Sequence, residues 1–120
     1  KSFGEGLKDY GRAITEDQKL INNYPGSDLI GVAYYELGDC YYILGSYYEA
    51  YLSYQKAQIY GGEIGREALY SSAHCLYKLE SYAPAAVLFS EYVERYPNTD
   101  ISDDAQYFAG AAWYKAEQYS

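Results

Sequence analysis

The chain has 120 residues, enough for one domain or part of one, and its 49% hydrophobic content argues against long disorder. Nine Lys and Arg against 17 Asp and Glu give a net charge of −8, which argues against nucleic acid or an anionic membrane as the main partner. Nineteen tyrosines against one tryptophan supply large amphipathic side chains, and no apolar run approaches the ~18 residues a membrane span needs.

A helix is expected over about 6–24, stopped by Tyr24-Pro25-Gly26. Tyr34, Leu37, Gly38, Tyr41 and Leu44 then follow the i, i+3, i+4, i+7 spacing of a helix face. Gly45-Ser46 breaks that stripe. Tyr47, Ala50, Tyr51, Tyr54 and Ala57 begin another, with Ser46 and Glu49 read as a capping box. Gly61-Gly62 closes this helix, as glycine does just past a helix end. Ser81 is the expected N-cap of a later helix, which puts Pro84 in the first turn, where its missing N–H does little harm. Tyr96-Pro97-Asn98 is the next stop signal, and a final helix is expected over about 102–119. No β alternation competes.

The chain also repeats itself. Cys40 and Cys75 lie 35 positions apart, and Gly38-Asp39-Cys40-Tyr41-Tyr42-Ile43-Leu44 aligns with Ala73-His74-Cys75-Leu76-Tyr77-Lys78-Leu79. At the same spacing Tyr47 meets Tyr82, Ala50 meets Ala85, and Tyr54 meets Phe89. Asn23-Tyr24-Pro25-Gly26-Ser27-Asp28 echoes Arg95-Tyr96-Pro97-Asn98-Thr99-Asp100. A fixed period of this length signals stacked helix pairs.

Residues 31–64 resemble a tetratricopeptide repeat. Tyr34, Leu37-Gly38 and Tyr41 stand in its helix A, and Tyr47, Ala50, Tyr54 and Ala57 in its helix B. Residues 66–97 repeat the pattern through Leu69, Ala73, Leu76, Tyr82, Ala85, Phe89 and Pro97, with Ser72 in place of the usual leucine and Tyr92 in place of the usual small residue. The resemblance implies an all-α fold, a right-handed superhelix of antiparallel helix pairs. Across 1–120 it implies a helix B at about 6–24, repeats at about 28–62 and 63–97, and a helix A at about 102–119. It also implies protein–protein interaction without catalysis or a cofactor.

The two Tyr-Pro junctions resemble a bacterial subgroup that includes periplasmic coordinators of the Tol–Pal system and the tetratricopeptide lipoprotein of the outer-membrane β-barrel assembly machinery. A bacterial periplasm or cell-envelope location is the expectation this carries, with an export signal upstream of Lys1 in a longer protein. A cytoplasmic location is the alternative.

By the same resemblance the groove face of the A helices carries Tyr35, Glu36, Asp39 and Tyr42, then Tyr70, His74 and Tyr77, then Tyr107 and Tyr114. Tyrosine thus recurs in two columns. Either the rings cover the packing between helices, or they form a rigid platform for a peptide, since tyrosine gives contact area at low entropic cost. The acidic, tyrosine-rich face favours an apolar or basic segment. His74 is expected mid-groove, titrating near neutrality. The Lys, Arg and Asn clamp with which some family members hold chaperone tails is replaced here by Tyr35, Glu36, Asp39, Tyr70, Ser71 and His74.

Catalysis and metal binding find little footing in the spacing. His74 and Cys75 are adjacent on a helix and point about 100° apart, so they form no nucleophile–base pair. Asp39 and His74 fall on one face and Cys40 and Cys75 on another, so four metal ligands do not converge. A Cys40–Cys75 disulfide would have to join helices about 8–10 Å apart, beyond the ~7 Å Cα limit. An architectural role is the rival reading: the final helix carries Tyr107, Phe108, Ala112 and Trp113 on more than one side, so its ends would stack on further repeats or other copies.

Overall fold

In the computed structural model the apolar stripes become, among the described residues, six helices: α1 Phe3–Asn23, α2 Ile30–Ile43, α3 Tyr47–Gln58, α4 Gly62–Lys78, α5 Tyr82–Arg95 and α6 Ser102–Tyr119. The structure describes residues 3–119 and the side chains of residues 9–119; Lys1, Ser2 and Ser120 of the array expected over 1–120 lie outside the described residues. No strand occurs among the described residues, so the fold is all-α.

The helix ends show how the turns repeat. After α2, Gly45 takes φ +82°, its N–H bonds the Tyr42 carbonyl at 3.0 Å, and the Ser46 N–H bonds the Tyr41 carbonyl at 2.8 Å. After α4, the Glu80 N–H reaches the Tyr77 carbonyl at 3.0 Å and the Ser81 N–H the Leu76 carbonyl at 2.9 Å. Both are Schellman motifs, which satisfy orphan carbonyls through a left-handed residue. In the second, a glutamate at φ +62° stands where the first has glycine.

The expected capping hydroxyls do not form. Ser46 and Ser81 occupy the N-cap positions of α3 and α5, but neither side chain bonds a first-turn amide. Their backbones do the work instead, their carbonyls accepting from Ala50 and Ala85 at 2.9 and 3.0 Å. Gly61-Gly62 also differs from expectation, since Gly62 opens α4 rather than closing α3, with positive φ at both glycines.

Each helix packs on the next in sequence, and α2 also touches α4. The radius of gyration is 15.2 Å, against roughly 13.6 Å for a compact domain of this length, so the array is extended. Two cores form. Ala50, Tyr54, Ala57, Ala68 and Cys75 build one, and Leu69, Ala73, Ala85, Phe89, Tyr92, Ala105 and Ala109 belong to the other. Helix α4 serves both, from different sides.

The two departures from the repeat pattern are accommodated without orphaned groups. Ser72 is fully buried, and its hydroxyl donates to the Leu69 carbonyl at 2.9 Å. Tyr92 is also fully buried, and its hydroxyl meets Thr99 Oγ1 at 2.7 Å. Thr99 in turn is held by Ser102, whose hydroxyl donates to the Tyr96 carbonyl at 2.6 Å, so the α5–α6 turn is tied to the core.

Candidate functional site

The tyrosine columns are set by contacts within each repeat. On α2, the Tyr35 ring lies 5.4 Å from Tyr54 of α3, and Tyr42 lies 5.1 Å from Tyr47. One period later, Tyr70 of α4 lies 5.8 Å from Phe89 of α5, and Tyr77 lies 5.3 Å from Tyr82. On α2 and α4 the rings of both columns therefore cover helix packing. Their outer edges remain half-exposed.

Tyr42, Tyr54, Tyr70, Ser71 and His74 line an open cavity of about 220 Å³ where α2, α3 and α4 meet. Three of these, Tyr42, Tyr70 and His74, are residues expected on the groove face. Tyr54 and Ser71 join them. Tyr54 is placed by the close approach of α2 and α3, because a Cβ on Gly38 would lie 2.5 Å from its ring. Sequence reasoning puts Tyr54 in the core, which is correct for its ring. Its hydroxyl, however, passes through to the Asp39 carboxylate at 2.5 Å. The need of a buried tyrosine hydroxyl for a partner was the signal that could have linked the two residues.

The remaining residues spread outward. The Tyr35 hydroxyl donates to Glu67 Oε1 at 3.5 Å. Glu36 is exposed and turns away from the cavity toward Asp17 of α1. Tyr77 sits under α6, 5.8 Å from Phe108, with the Lys115 ammonium 5.8 Å from its ring. Tyr107 and Tyr114 lie on α6 at 69% and 67% exposure and do not join the cavity. The ring that would cover each in the preceding repeats comes from the following helix, and among the described residues none follows α6.

Burial governs the electrostatics. It raises the hydroxyl pKa of Tyr35, with Ser71 pulling the other way and the Asp39 and Glu67 charges adding to the rise. It raises Tyr70, aided by Asp104, and raises Tyr42. Burial also raises Asp39, while the Tyr54 hydrogen bond favours its ionised form. His74 packs at 4.7 Å from Tyr70, 4.9 Å from Phe89 and 4.6 Å from Phe108. Burial there lowers its pKa from 6.5 to about 4, assisted by Lys78 and opposed by Asp104. The expectation that His74 titrates near neutrality is thereby corrected: loss of hydration on burial disfavours the imidazolium.

Cys40 and Cys75 are free and buried, and burial pushes their thiols up to about 11 and about 12. Both are thus poor nucleophiles at neutral pH. Among the described residues no cluster of three His, Cys, Asp or Glu is placed to hold a metal ion. No helix among them is long and apolar enough to cross a membrane.

No curated protein and no solved structure matches the chain. Residues 67–99 match the family model of the tetratricopeptide repeat, a family that mediates protein–protein interaction. The match takes in most of α4, all of α5 and the turn after it, and it supports a tetratricopeptide repeat in that part of the helical array.

Proposed function

We propose that this chain is a protein-interaction module of a bacterial cell-envelope protein, and that it binds a partner segment along the tyrosine-bearing face of α2 and α4. The convergence of Tyr42, Tyr70 and His74 on one cavity carries this reading. The partner is an apolar or basic protein segment, since Asp39, Glu67 and Asp104 surround the rings. Location rests on the two Tyr-Pro junctions. A signal peptide or lipobox encoded before Lys1 would support it, and a cytosolic domain there would reject it.

Tyr42→Ser and Tyr70→Ser test the face, with Tyr41→Ser as control, because Tyr41 lines a different cavity between α1, α2 and α3. Partners captured from a lysate of the source organism are compared, together with melting temperatures. A hot-spot tyrosine should cost about 2 kcal/mol or more of binding. If both folded variants keep every partner of the wild type, the reading is wrong.

Self-association is a second reading, favoured by the exposed rings of Tyr107, Trp113, Tyr114 and Tyr119 on α6. Sedimentation that reports a monomer at high concentration would count against it.

A further inference from the structure

From the walls of the α2–α3–α4 cavity we infer that it anchors one cationic side chain, arginine before lysine, of the partner peptide. This rests on the peptide-binding reading above and names the chemistry of its central contact. At about 220 Å³ the cavity is smaller than the roughly 300–1,000 Å³ of sites for drug-sized ligands, a size that suits a single side chain. Its walls include the rings of Tyr42, Tyr54 and Tyr70, and the face of such a ring attracts a cation through the ring quadrupole.

The surrounding charge has the matching sign. Asp39 lies behind Tyr54, bonded to its hydroxyl at 2.5 Å. Asp104 and Asp103 act on Tyr70 from α6, and Glu67 bonds Tyr35 beside Ser71. Lys78 is the cation that acts on His74, and it is exposed. His74 itself is neutral at pH 7, so it brings no opposing charge and offers a ring nitrogen as acceptor.

Wall chemistry also disfavours the alternatives. An apolar occupant would desolvate the Tyr42 and Tyr70 hydroxyls without bonding them. An anionic one would meet like charge. Guanidinium donors, in a planar group that stacks on aromatic faces, satisfy both requirements.

The chain already places its own cations this way. Lys115 stands 5.8 Å from the Tyr77 ring and 5.5 Å from Tyr82, and that ring pair is the counterpart, one period on, of Tyr42–Tyr47 beside the cavity. Lys56 stands 5.9 Å from Tyr34, and the Arg95 guanidinium 5.4 Å from Tyr96.

The test is selection of a random dodecapeptide display library on the folded chain, followed by binding measurements on the selected peptides. Tyr70→Phe and Tyr42→Phe keep the rings and remove hydroxyls, and Asp104→Asn removes an exposed charge; melting curves verify that each variant is folded. The expected peptides share an Arg or Lys whose replacement by norleucine weakens binding about tenfold. Their binding weakens with salt and with Asp104→Asn. If peptides sensitive to the tyrosine variants tolerate norleucine, the cation is wrong while the peptide-binding face stands. If selected peptides ignore both tyrosine variants, or none is selected, the inference and the face fall together.

Discussion

Tyr54 reaches from α3 past Gly38 of α2 to donate its hydroxyl hydrogen to Asp39 Oδ1 at 2.5 Å. A ring counted with the core thereby holds a carboxylate at the groove. Burial raises the Tyr54 pKa and the Asp39 bond adds to the rise, so the phenol is the donor throughout the physiological range. Tyr54→Phe should cost about 1.5–3 kcal/mol, the worth of a hydrogen bond to a charged group. Asp39→Asn, which keeps an acceptor, should cost less. Urea denaturation of both variants checks the order; equal losses would mean that the contact is incidental.

Glu80 holds φ +62° where its counterpart one period earlier is Gly45 at φ +82°. An L-residue in this region costs roughly 1–2 kcal/mol, which glycine avoids. Glu80→Gly should therefore raise stability by about 1 kcal/mol, and Gly45→Glu should lower it by a similar amount. Thermal melts of the pair check this, and a destabilised Glu80→Gly would refute it.

Two helical glycines should respond in opposite directions to alanine. A Cβ at Gly38 would sit 2.5 Å from the Tyr54 ring, whereas one at Gly110 meets nothing within 4 Å. Gly38→Ala should cost about 1–3 kcal/mol by overpacking and should close the neighbouring cavity. Gly110→Ala should gain about 0.5–1 kcal/mol from helix propensity. The sign of each change in melting temperature is the readout.

Two groups oppose each other in acid. The folded pKa of His74 is about 4 against an ordinary 6.5, so its stabilising contribution, full above that ordinary value, is lost as pH falls toward 4. Asp17 goes the other way. Burial, a hydrogen bond that protonated Asp17 donates to Glu36, and the Glu36 charge raise its pKa from 3.8 to about 7, so its contribution fades as pH rises through that interval. Between about pH 4 and 6.5 the two slopes partly cancel. His74→Gln should leave stability falling as pH rises, and Asp17→Asn should leave it rising. Denaturation midpoints at pH 4.5, 5.5, 6.5 and 7.5 check both signs.

The helices were legible because apolar spacing is a local property. The stripe from Tyr34 to Leu44 and the one from Tyr47 to Ala57 lie within α2 and α3, apart from the terminal Leu44. The expected cap hydroxyls failed at Ser46 and Ser81, where ψ is 70° and 72° rather than in the extended region a capping residue adopts. Glu80 was illegible as a left-handed residue, since its side chain gives no hint of positive φ. At the site, Tyr42, Tyr70 and His74 could be read from their place in the repeat. Tyr54 could not, because whether a buried tyrosine shows its hydroxyl on the far side depends on how close two helices come. The small residue that decides this, Gly38, is read from sequence only as a packing device. Glu36 was misjudged for a simpler reason: one residue beyond Tyr35, it faces a different neighbour, α1.

Helix α4 belongs to both cores, Ala68 and Cys75 to one and Leu69 and Ala73 to the other, so the array resembles two blocks joined along a single shared beam. Bending it requires the blocks to rock about that beam. The cavity spans the joint, with Tyr42 and Tyr54 on one block and Tyr70, Ser71 and His74 on the beam itself. A side chain lodged there would act as a strut, fixing the angle between the blocks. The curvature of any longer array containing this segment would then depend on whether the cavity is filled.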